Sequence, residues 1–176
     1  MHQAAALTGD RAADYATLAA QAASLWEPGL PLAGNLANLS ALVKQFLDRT
    51  NWAGFYLWDP SRGELVLGPF QGLPACTRIG LGKGVCGTAV ARRATQLVPD
   101  VNAFPGHIAC DSASLSEIVV PLVRGDVVLG VLDIDSPELA RFDPVDQAGL
   151  EAVATVIVER WPPGAGGGAS GPVGAA

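Results

Sequence analysis

Three cysteines, one interior histidine and a few acidic residues near the C-terminal third are the side chains here with the capacity for chemistry. Cys76, Cys86 and Cys110 stand at C-x9-C-x23-C. A thiolate is both a nucleophile and a redox group, and an odd number of thiols in a chain without an export signal argues for reduced, reactive cysteines over a disulfide framework. Each cysteine adjoins Gly, Pro or polar residues (LPACTR, KGVCGT, IACDS), which places them in or beside loops, where functional groups concentrate. Cys86 opens a helix close to Lys83; both features are expected to lower a thiol pKa, which on physical grounds marks Cys86 as the most nucleophilic of the three. His107 shares the interior with no other histidine, so a Cys–His nucleophile pair would have to use it. A Cys3His zinc site needs ligands paired two to four residues apart, and only His107 and Cys110 are so spaced. No metal is expected.

The acidic residues come into register by strand parity. In Val127–Asp135 a period of two sends Leu132 and Ile134 to one face and Asp133 and Asp135 to the other. The same arithmetic in NWAGFYLW separates Phe55 and Leu57 from Trp52, Gly54 and Tyr56. If the apolar set packs under helices, Trp52, Tyr56, Asp133 and Asp135 line the opposite face, where loops can close a pocket. A solvated sheet face and a weak carboxylate metal site remain alternatives on parity alone.

The elements that must position these residues follow from composition and periodicity. A chain of 176 residues, 49% hydrophobic, suffices for one globular domain with a real core. Eleven basic against seventeen acidic residues give a net charge of −6, with no basic run longer than Arg92-Arg93; that excludes a phosphate-tracking surface, so no nucleic acid is expected. No stretch approaches the about 18 apolar residues of a membrane span, and the Ala-rich start carries Asp10 and Asp14, so a cytoplasmic protein is expected. Helical spacing runs over 11–26, stopped by Pro28-Gly29, and again from Leu36 to Leu47. A hairpin follows (NWAGFYLW, turn DPSRG, strand Glu64–Phe70), then a short helix near Val85, a strand in QLVPDV and a loop through FPGHIACDSASLSE. IVVPLV and VVLGVLDID read as a second hairpin turned at Arg124-Gly125-Asp126, which makes that RGD a turn and not an adhesion motif. The last helix is announced by Asp143 as N-cap, Pro144 in the first turn and Asp146 three residues after the cap. The order predicts an α+β fold, an antiparallel sheet with helices packed on one face and a pocket closed by loops on the other. It occupies residues 1–161, followed by a disordered Gly/Pro/Ala tail over 162–176.

Three runs, GPFQGLPACTRIGLGKGVCGTA, VPDVNAFPGHIACDSASLSEIVVPL and GVLDIDSPELARFD, together with NLAN at Asn35–Asn38 and NWAGFY at Asn51–Tyr56, resemble the free methionine-(R)-sulfoxide reductases, a GAF-domain enzyme family. The resemblance implies a GAF-like domain that reduces free L-methionine-(R)-sulfoxide through a Cys sulfenic acid and an intramolecular disulfide recycled by thioredoxin, with no other cofactor. By matching position it makes Cys110 the attacking residue, Cys76 the resolving partner and Cys86 an auxiliary thiol, and assigns Glu117, Asp133 and Asp135 to an acidic pocket. Mutual repulsion would leave at least one of those carboxyls protonated near neutral pH and able to serve as general acid; the remaining charge would attract the substrate ammonium. Trp52 and Tyr56 would wall the sulfur end, and loop amides near His107–Cys110 would receive the substrate carboxylate. A homodimer is compatible with this reading. WEPGLPLAG (Trp26–Gly34) is richer in Pro and Gly than the resemblance leads one to expect. The competing readings are a GAF small-molecule sensor and a redox-sensing module without turnover, the first usually joined to an output domain, the second needing thiols but no acidic pocket.

Overall fold

The structure is a computed structural model that describes residues 7–107 and 112–165. Helix α1 (Arg11–Leu25) is started by Asp10, whose side chain accepts from the Ala12 and Ala13 amides, and it ends before the Pro28-Gly29 pair. The Pro- and Gly-rich connection that follows is clamped by buried Asn35: its Oδ1 accepts from the Glu27 amide at 2.9 Å and its Nδ2 donates to the Glu27 carbonyl at 3.0 Å. Helix α2 (Leu32–Phe46) therefore begins four residues before the apolar spacing suggested. Strands β1 (Trp52–Asp59) and β2 (Glu64–Gln71) form the first hairpin, with the short β3 (Arg78–Gly80) beside β2. Helix α3 (Gly84–Arg92), β4 (Gln96–Val98) and a single 3-10 turn at Val101–Ala103 precede the second hairpin. That hairpin is β5 (Ser116–Arg124) and β6 (Val127–Ser136), and α4 (Pro144–Arg160) closes the fold.

The six strands form one sheet in the order β3-β2-β1-β6-β5-β4, antiparallel throughout. Alternation along the three central strands divides the interior in two. Ala53, Phe55, Ile118, Val120, Leu132 and Ile134 bury against Tyr15, Leu18, Leu36, Leu39, Leu150 and Ile157 from α1, α2 and α4, the side on which the sequence places the helices. Trp52, Tyr56, Val119 and Val131 project from the opposite face. There α3 joins the loops as cover, through Val85, Ala89 and Val90. Close approach of α3 is permitted by Gly87, since a Cβ there would lie 2.3 Å from the Gly80 carbonyl oxygen.

The helical face carries an ionic clasp at the start of α4. Asp143 and Asp146 form a reciprocal capping box; Asp146, 2% exposed, also accepts from the Tyr15 hydroxyl at 2.7 Å and pairs with Arg11 and Arg141 at 2.8 and 3.3 Å. Gly125 and Asp126 form the tight turn between β5 and β6, as expected for that tripeptide. Among the described residues no helix is long and apolar enough to cross a membrane. Of the tail expected over 162–176, residues 162–165 form a turn in which the Ala165 amide donates to the Pro162 carbonyl and Ala165 packs against the core, while residues 166–176 lie outside the described residues.

Candidate active site

On the face away from the three-helix layer, neighbouring strands bring the acidic residues together. Across β1 and β6, Trp52 pairs with Asp135 and Gly54 with Asp133; across β5 and β6, Glu117 pairs with Asp135 and Val119 with Asp133. Directly opposed side chains on one face lie about 5 Å apart, so the ladder sets Glu117 beside Asp135, with Asp133 two residues along β6 on the same face as the diagonal neighbour of Glu117. Trp52, Tyr56, Cys86, Glu117, Asp133 and Asp135 line one pocket, with His107 and Ser114 at its loop side and about 490 Å³ of empty space that opens to solvent.

The aromatic wall is a stack three rings deep. Trp52 lies between Tyr56, at 5.8 Å between ring centres and 24° between planes, and Phe70 of β2, at 5.2 Å and 14°. Its indole N–H donates to the Leu73 carbonyl at 3.2 Å, which fixes the ring edge-on to the β2–β3 loop. Gly54 makes the stack possible: a Cβ there would stand 2.3 Å from Phe70 Cβ and 2.8 Å from Trp52 Cη2. Phe70 and Ser114 were not identified from sequence, although the parity that aligned Trp52 with Tyr56 points to the partner strand, where Phe70 pairs with Gly54.

The acidic end is desolvated. Glu117 and Asp133 are 6% and 5% exposed. Burial, then the charges of Asp133 and Asp135, push the Glu117 carboxyl well above the ordinary carboxylate range. Burial likewise raises Asp133, to about 6, opposed by hydrogen bonds with Cys86 and Glu117 and from the Ile134 amide. Two buried carboxyls in contact share protons as a unit. Asp133 Oδ1 is buried and has no hydrogen-bond partner among the described residues. Tyr56 is held protonated by burial and by the same carboxylates, and burial lowers the His107 pKa, which favours the neutral imidazole.

The cysteines divide into distinct states. Cys76, half-buried in the loop between β2 and β3, is disulfide-bonded. Cys86 is a free thiol; it is not in a loop but in the first turn of α3, 4% exposed, with its Sγ–H donating to Glu117 Oε1 at 3.9 Å. Burial, followed by the Asp133 and Glu117 charges, pushes its pKa well up. The sequence expectation of a thiol activated by Lys83 and the helix start is thus overturned, because desolvation and carboxylates outweigh both. Cys110, and the loop amides just before it, lie outside the described residues.

A chain with this sheet and acidic pocket matches the GAF domain family over residues 37–159. It is 51% identical over 150 residues to protein YtsP of Bacillus subtilis, covering 85% of this chain and 92% of that protein. It is 55% identical over 122 residues to the free methionine-R-sulfoxide reductase of Escherichia coli, covering 69% and 73% of the two. Its structure resembles that of the free methionine-R-sulfoxide reductase of Neisseria meningitidis in complex with its substrate, with a TM-score of 0.83 and 45% identity over 92% of this chain and 94% of that one. Matched over most of its length, the chain belongs to the GAF-domain family and, within it, to the free methionine-R-sulfoxide reductases.

Proposed function

We propose that this protein reduces free L-methionine-(R)-sulfoxide to L-methionine in the cytoplasm, with thioredoxin returning it to the dithiol state. One observation carries the reading: a buried group of carboxyls, one poised to hold a proton, faces an aromatic wall in a chain whose Cys76 is oxidised while Cys86 is not. In the first step the Cys110 thiolate attacks the sulfoxide sulfur while a pocket carboxylic acid, Glu117 or its neighbour Asp135, protonates the oxygen. The oxygen then passes to the Cys110 sulfur as its bond to the substrate sulfur and the Cys110–substrate sulfur bond both break, so that methionine leaves and Cys110 becomes a sulfenic acid. The Cys76 thiol then condenses with it, releasing water and forming the disulfide that thioredoxin reduces. A carboxylic acid kept protonated by its surroundings is the donor this chemistry needs near neutral pH.

The substrate is a free amino acid because its ammonium requires an anionic partner. With one proton shared, the Asp133–Asp135–Glu117 group retains negative charge for that purpose, while Trp52 and Tyr56 take the thioether end through sulfur–aromatic contact worth about 0.3–1.5 kcal/mol. Cys86 has the auxiliary role of orienting Glu117 through its thiol hydrogen bond. A homodimer is compatible with this reading.

The test is NADPH consumption in the presence of thioredoxin and thioredoxin reductase, with each epimer of free methionine sulfoxide supplied separately. Turnover with the R epimer alone is expected, and none with a peptide-embedded sulfoxide. No rate with either free epimer overturns the proposal.

A further inference from the structure

Cys86 Sγ, a carboxylate oxygen of Glu117 and one of Asp133 all lie within 4.8 Å of one another, and all three residues are buried. The sulfur-to-Glu117 separation is 3.9 Å. In a tetrahedral zinc site with Zn–S near 2.3 Å and Zn–O near 2.0 Å, donor atoms stand about 3.5 Å apart, so small side-chain rotations bring the three donors into range of one cation. A second observation points to a ligand. Asp133 is 5% exposed; its carboxyl is hydrogen-bonded with Cys86, Glu117 and the Ile134 amide, yet its Oδ1 atom is buried with no hydrogen-bond partner among the described residues. A buried acceptor without a donor is costly, and a cation meets that need.

We propose that Cys86, Glu117 and Asp133 form a binding site for a divalent cation of borderline softness, Zn2+ above all. One thiolate with two carboxylates suits zinc better than the all-oxygen preference of Mg2+ or Ca2+. Binding forms one Zn–S and two Zn–O bonds. The thiol releases its proton to solvent, and any proton on the carboxyls follows. The fourth coordination position opens into the pocket and is filled by water, as in zinc sites with three protein ligands. No oxidation or reduction is involved. The site stands on donor geometry alone; that the cation also excludes methionine sulfoxide rests on the reading above, because the same two carboxyls would be needed for substrate.

The experiment uses the whole chain in the form in which Cys76 is disulfide-bonded and Cys86 is a free thiol. Co2+ added alone is the spectroscopic probe, displaced afterwards by Zn2+. One equivalent per chain, with a thiolate-to-cobalt charge-transfer band that Zn2+ abolishes, is expected. Cys86→Ser should remove the band, and Asp133→Asn should weaken zinc binding by about tenfold or more, as the loss of groups at a metal centre commonly does. Absence of the band at saturating Co2+ in the unsubstituted chain, a measurement that depends on no variant's folding and on no turnover, overturns the site. An unchanged zinc affinity in Cys86→Ser overturns it equally. Calorimetric titration of methionine sulfoxide into reduced protein, with and without Zn2+, then addresses overlap. Competition supports it; sulfoxide binding that is indifferent to bound zinc overturns the exclusion while the cobalt result stands.

Discussion

At Cys86 two opposing effects on a thiol meet, and their sizes decide the outcome. A helix N-terminus stabilises a nearby negative charge by about 0.3–1 kcal/mol at a surface, and Lys83, the N-cap residue of α3, adds a cation three residues before Cys86. Against this, burial removes the thiolate from water and disfavours the charged form, and Asp133 and Glu117 repel it further. The thiol therefore stays protonated. At pH 8 Cys86 is expected to react with an uncharged alkylating reagent about a hundredfold or more slowly than an exposed cysteine, and to react fully once the chain is unfolded; the burial and raised pKa that require this are both readable by mass spectrometry of the modified peptide. Rapid native alkylation would show that the carboxylates do not face the sulfur. The Lys83–Gly84 context was legible because it is local. The carboxylate 31 residues away that reverses its effect was not, since nothing in a linear spacing says which strand will lie under a helix.

At the scale of elements, parity was the legible part. A period of two in β1 and β6 is an intrinsic property of extended chain, so Trp52, Tyr56, Asp133 and Asp135 could be assigned to one face before any pairing was known, and they line one pocket. Asp143 and Asp146 announced α4 for the same reason, since a capping box is complete within four residues. By contrast β3 has three residues and no alternation to read, and it exists because Leu65 and Val66 offer a free edge to Ile79 and Arg78. The pairing of β2 with β1 is likewise a long-range fact, and it is what places Phe70 on Trp52. That pairing is open to test through Gly54→Ala. The added methyl would meet Phe70 Cα at 2.7 Å, a backbone atom that cannot rotate away, so β1 and β2 must separate locally and the Trp52–Phe70 stack must tilt. Overpacking of this kind costs about 1–3 kcal/mol. The expected outcome is a fall in Tm of several degrees, a changed near-ultraviolet circular dichroism signal from Trp52, and a raised KM for the sulfoxide. An unaltered Tm and spectrum would mean that the ring stack does not depend on this glycine.

On the scale of the whole molecule, the two faces of the sheet place opposite demands on pH. On the helical side, Arg11 holds Asp143 down to about 2 and Thr8 lowers Asp14. For such groups the unfolded chain binds protons first, so their stabilisation is complete above the unfolded value of about 4 and is lost as pH falls toward the folded one. On the pocket side Glu117 and Asp133 are raised, Asp133 to about 6. Between about pH 4 and those folded values the native state holds protons that the unfolded chain has released, so stability declines as pH rises through that window. The net charge of −6 adds a self-repulsion of the same sign at high pH, but salt screens exposed charges far more than a buried pair. Thermal unfolding measured from pH 3 to 9 in about 0.3 M salt, where the Debye length is below about 8 Å, should therefore peak at mildly acidic pH. Glu117→Gln should flatten the alkaline limb, raise Tm at pH 8 and leave the acid limb in place; collapse of turnover makes Glu117 the proton donor, and retained turnover gives that role to Asp135. Such a gain in stability at the expense of activity is the mark of a site held in an unfavourable state for its chemistry. If Glu117→Gln lowers Tm at pH 8, or leaves the alkaline limb as steep as before, Glu117 is ionised in the native protein and is not the pocket's acid.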